Sequence, residues 1–94
     1  MNNNQMQIKA DDKILKGVYS NIMQIQHTRE EFCLDFMSMF APAGILTARV
    51  IISPGHLKRM INAMQSTLNN YEKQFGAISE AKEPEKPKMG FQPS

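Results

Sequence analysis

The sequence predicts an α+β fold, a three- or four-stranded antiparallel β-meander followed by one long C-terminal helix packed on one sheet face. Three observations predict it. Between Val18 and Ile52 lie three runs rich in β-branched, aromatic and alternating apolar residues, separated by polar or Pro/Gly-containing turns. From Leu57 to Phe75 apolar residues instead recur every three or four positions, the period of an amphipathic helix. The two periods meet at Ser53-Pro54, a helix start signal that follows directly on the last strand.

Taken in order, Met1 to Gln5 is Asn-rich and reads as disordered, and Gln7 to Ala10 reads as a short edge strand. Residues 1–12 are thus a flexible N-terminal segment. Asp11 to Gly17 is a polar connection punctuated by Gly17, with Ile14 and Leu15 tucked against the body. The single domain spans 13–78. Val18 to Gln26 is its first strand. His27 to Glu30 is a polar turn, and Phe32 to Met39 alternates as a second strand. Phe40-Ala41-Pro42-Ala43-Gly44 turns the chain into the third strand, Ile45 to Ile52. Ser53 caps the helix with its hydroxyl, Pro54 takes the first helical position, and Ile52 and Leu57 are spaced for a hydrophobic staple. Leu57, Met60, Ile61, Met64, Leu68, Tyr71 and Phe75 form the helical stripe, and Gly76 suits the left-handed position past its end. Ser79 to Ser94, rich in Pro, Glu and Lys, buries too little apolar area to offset ordering and reads as a disordered tail with an apolar island at Met89-Gly90-Phe91.

Turn lengths give the pairing. A four-residue turn at His27 to Glu30 sets Ile25 opposite Phe32 and Met23 opposite Leu34. A five-residue second turn sets Phe36 opposite Ala48 and Leu34 opposite Val50. One face then carries Met23, Ile25, Phe32, Leu34, Phe36, Leu46, Ala48, Val50 and Ile52, and is expected to lie under the helical stripe. The same register sets Asp35 opposite Arg49 on the second face, an opposite-charge pair worth a fraction of a kcal/mol. That face is too apolar for a solvated one. Its Val18, Ile22, Cys33, Asp35, Met37, Met39, Ile45, Arg49 and Ile51 are the candidate interface, with Asp35 and Arg49 setting register.

Composition narrows the function. The chain has 94 residues, a net charge of +2 and one cysteine, so it holds one domain, no internal disulfide and no Cys-rich metal site. The N-terminus lacks a signal-peptide apolar run, and nothing is long enough to span a bilayer, so the expected setting is cytoplasmic with no membrane partner. Cys33 sits mid-strand among apolar residues, as a small hydrophobe rather than a thiolate. His27 and His56 stand apart with no carboxylate at zinc spacing, and no phosphate loop or nucleophile elbow is present. No catalytic residue, metal or cofactor is expected. Arg29, Lys58 and Arg59 are the candidate anion or nucleic-acid contact, a reading not favoured because no aromatic–basic interleaving accompanies them.

Four stretches carry a family resemblance: GVYSN (Gly17 to Asn21), HTREEFCLDF (His27 to Phe36), ARVIISPGHLKRM (Ala48 to Met60) and YEKQFG (Tyr71 to Gly76). Together they resemble a small, mainly bacterial family known only as a domain of unknown function. The resemblance covers Leu15 to Ile78 and implies a compact single-domain protein with no established activity. In topology alone, a meander followed by a long helix is similar to the SecB export chaperone, which oligomerises and holds unfolded chains on apolar grooves. The expected function is that of a non-enzymatic, homodimeric or otherwise homo-oligomeric binding or scaffold protein with an unidentified protein partner. The alternatives are a nucleic-acid-binding protein and a SecB-like holdase using the apolar second face.

Overall fold

The computed structural model describes residues 5–82. The elements are α1 (Asp12–Lys16), β1 (Ile22–His27), β2 (Phe32–Phe40), β3 (Ala43–Ile52) and α2 (Pro54–Phe75). The strands form one antiparallel sheet in the order β1-β2-β3, followed by the long helix. This is the α+β layout read from the sequence, with three strands among the described residues, because residues 7–10 join no ladder. The readings for residues 1–4, for most of the tail and for Met89-Gly90-Phe91 lie outside the described residues.

The first strand begins at Ile22 rather than Val18, and side chains explain the delay. The Asn21 amide donates to the Met39 carbonyl (2.9 Å) and accepts from the Met39 N–H (2.9 Å). The Ser20 hydroxyl reaches the carbonyls of Ile22 (2.9 Å) and Met37 (3.2 Å). Such short polar side chains take over hydrogen bonds that a ladder would otherwise make. Asp11 to Gly17, read as a connection, holds the single-turn helix α1, closed by the Gly17 N–H on the Ile14 carbonyl at φ +75°.

The β2–β3 register is the expected one through Leu34↔Val50, Asp35↔Arg49 and Phe36↔Ala48. The β1–β2 register is displaced by two residues, to Ile25↔Leu34 and Met23↔Phe36. The turn occupies 28–31 instead of 27–30. Thr28 decides this: its hydroxyl accepts from the N–H groups of Glu30 (3.2 Å) and Glu31 (3.3 Å), and its N–H donates to the Glu31 carbonyl (3.0 Å). An even displacement keeps every side chain on its expected face.

The second turn is a larger correction. Phe40 pairs with Ala43, so only Ala41 and Pro42, joined by a cis peptide, turn the chain. The missing length reappears as a bulge at Thr47, whose hydroxyl donates to the Phe36 carbonyl (2.9 Å). Beyond it the faces of β3 exchange. Leu46 pairs with Met37 and joins the second face, while Ile45 pairs with Ser38 and joins the first.

α2 begins and ends as read. Ser53 Oγ accepts from the His56 N–H (3.2 Å), Pro54 stands in the first turn, and Gly76 at φ +96° closes on the Glu72 carbonyl (2.8 Å). Yet the helix buries none of its residues. The buried apolar side chains among the described residues are Ile22, Leu34, Met37 and Ile52.

Candidate interaction surface

The polar centre of the second face is Asp35, 1% exposed in mid-β2. β3 brings Arg49 opposite it, and the guanidinium donates twice, Nε to Oδ1 (2.6 Å) and Nη2 to Oδ2 (2.9 Å). Cys33, two residues along the same face, donates its thiol to Oδ1 (3.6 Å). The Arg49 hydrogen bonds hold the Asp35 carboxyl below its ordinary range against the opposing effect of burial, with the Arg49 charge adding to them. Partial burial first, and then the Asp35 carboxylate, push the Cys33 thiol up, with Arg49 opposing. Asp35 raises the Arg49 value in return. This arrangement holds two strands in register and disfavours a thiolate. Gln24, opposite Asp35 on β1, has a buried side-chain oxygen with no donor among the described residues.

The candidate interface residues do not form one open patch. Ile22, Asp35 and Met37 are buried within the chain, and Cys33 and Met39 are half-buried. Ile51 and Val18 are exposed, Val18 ahead of the first strand. Ile45 is exposed on the first face, through the Thr47 bulge. Open apolar surface remains on the second face at Ile51 and Leu46, and more of it lies elsewhere. On the first face Met23, Ile25 and Val50 are 42–46% exposed. Along α2, Ile61, Met64, Leu68, Tyr71 and Phe75 are 39–66% exposed, and only Leu57 and Met60 of the stripe are half-buried. The expectation that the first sheet face lies under this stripe would leave the stripe covered. The signal against that was Ser53, the one residue joining strand to helix, since strand–helix connections usually take about two to six residues.

Arg29 lies in the β1–β2 turn, and Lys58 and Arg59 lie early in α2. Because Phe32 pairs with Ile52, that turn and the helix start share one end of the sheet, and all three cations are exposed there. Arg59 Nη2 is 3.3 Å from His56 Nδ1, while the His27 ring packs 5.2 Å from Phe32. At the opposite end, a cleft of about 1250 Å³ is lined by Tyr19, Met23, Phe36, Met39, Phe40 and Pro42, with Ala81 and Lys82 from beyond the helix. Tyr19 and Phe40 stack across 6.1 Å. No sequence signal marked this cleft, because it needs the post-helix chain to return to the β2–β3 turn. Among the described residues no three His, Cys, Asp or Glu side chains converge as a metal site, and no helix is long and apolar enough to cross a membrane.

Residues 1–80 match the model of a family described as "Protein of unknown function (DUF3467)". No curated protein and no solved structure matches the chain.

Proposed function

Since the chain belongs to the DUF3467 family, whose description assigns no function, its residues have to carry the functional reading, and we propose a small homo-oligomeric binding or scaffold protein rather than an enzyme. The observation that carries this is the exposed apolar stripe of α2 beside a core that, among the described residues, holds four buried apolar side chains. Small domains with a small core gain stability by oligomerising, and an exposed apolar stripe is the kind of surface that association covers. The non-enzymatic part of the reading is supported by the character of the polar groups. Asp35 is spent on Arg49, Cys33 is held as a thiol, and the two histidines lie in separate local contacts.

Light scattering coupled to size exclusion, run from low to high micromolar protein, tests the reading. A dimer or higher oligomer is expected, and Leu68→Asp should weaken it about tenfold or more, as loss of a buried interface anchor does. One monomeric mass across the whole range overturns it.

A further inference from the structure

Building on the proposed self-association, the geometry points to a reciprocal helix exchange: the α2 stripe of one copy lies along the first sheet face of a second copy, whose own helix returns the contact. The two surfaces match in length. α2 has 22 residues, about 33 Å at about 1.5 Å each. β3 has 10, about 34 Å at about 3.4 Å each.

They also match in chemistry. Leu57, Met60, Ile61, Met64, Leu68, Tyr71 and Phe75 include no charged group, and the first face from Met23 to Ile52 carries no Asp, Glu, Lys or Arg. Joining them therefore strands no charge out of water. Both faces hold buried side chains, Leu34 and Ile52 on the first and Ile22, Asp35 and Met37 on the second. The second is the poorer seat because a helix laid there would cover the Asp35–Arg49 ion pair. The stripe beyond Met60 is 39–66% exposed, and Met23, Ile25 and Val50 are 42–46% exposed, open apolar surface of the kind that a standard stable interface of about 800 Å² per partner covers.

The route to a partner rather than to the chain's own sheet follows from Ser53. With one residue between Ile52 and Pro54 there is no loop to reseat the helix, and its stripe stays 39–66% exposed beyond Met60. A two-fold exchange closes on itself, because each copy supplies one stripe and one face, and so it ends at the dimer.

Photo-crosslinking tests the exchange. Benzophenone-phenylalanine replaces Leu68, copies labelled with nitrogen-14 and nitrogen-15 are refolded together, and the cross-linked peptides are read by mass spectrometry. The same label at Met64 serves as a second probe, and light scattering is recorded on each sample. The expected products join the α2 label of one isotope to the peptides of Met23, Ile25 or Val50 of the other. Products within one isotope only place the helix on its own sheet and overturn the exchange. Products between two helices, or to the Ile51 side of β3, in a dimeric sample also overturn it and leave the self-association standing. A monomeric sample overturns both.

Discussion

At the scale of single residues, Asp35 and Arg49 are the most informative pair. Strand parity alone set them opposite each other, and the structure adds burial and a two-point contact. Asp35 is ordinarily a carboxyl of about 3.8, and in the fold it lies lower. A depressed carboxyl contributes stability that is present above the unfolded value and is lost as pH falls toward the folded one. The thermal midpoint should therefore fall on acidification below that ordinary value, and Asp35→Asn should flatten the fall while lowering the midpoint at neutral pH. Parallel acid profiles for the two proteins would show that Asp35 contributes nothing to it. Cys33 gives an independent check. Its thiol is pushed up by partial burial and by Asp35, and the thiolate is the reactive form. Alkylation at mildly alkaline pH should be slower in the folded protein than in urea, and equal rates would remove the effect.

At the scale of elements, the second hairpin carries the surprise. Two compensating features, a two-residue turn and a bulge at Thr47, reproduce the register expected from a five-residue turn. Gly44 stands opposite Met39 on the far side of that bulge, where a Cβ would run into the Met39 sulfur. Gly44→Ala should cost less than about 1 kcal/mol in urea unfolding, because the Met39 thioether is the far end of a flexible side chain and can swing aside. Much of that should vanish in a Met39→Ala background, the signature of two coupled neighbours. An unchanged cost in that background would place the strain in the backbone instead. At the start of α2, Ser53 accepts one bond from the His56 N–H. Ser53→Ala should cost about 1 kcal/mol, the usual value of a lost N-cap, and a neutral effect would mean the cap is frayed in solution.

At the scale of the whole molecule, the balance between buried and open apolar surface decides behaviour. Ile22, Leu34, Met37 and Ile52 are buried, while no residue of the helical stripe is. If folding and association are coupled, the folded state gains from mass action. The thermal midpoint should then rise steadily over a hundredfold increase in protein concentration. A midpoint independent of concentration would mean that each copy is stable alone.

Local chemistry made most of the architecture legible. The alternation of Phe32 to Met39, the three-and-four spacing of Leu57 to Phe75, and the Ser53-Pro54 and Gly76 signals are short-range patterns, and they appear in the structure as β2, β3 and α2 in the expected order. The parity of Asp35 and Arg49 was legible for the same reason. What local patterns could not contain was decided in three dimensions. Thr28 won the first turn with side-chain hydrogen bonds, and Thr47 exchanged the faces of Ile45 and Leu46. The larger decision concerned the stripe. Periodicity says that a helix has an apolar face, but only tertiary structure says what meets it. A one-residue joint at Ser53 leaves that face open here, because a helix tied so closely to its strand has no length of chain in which to turn over.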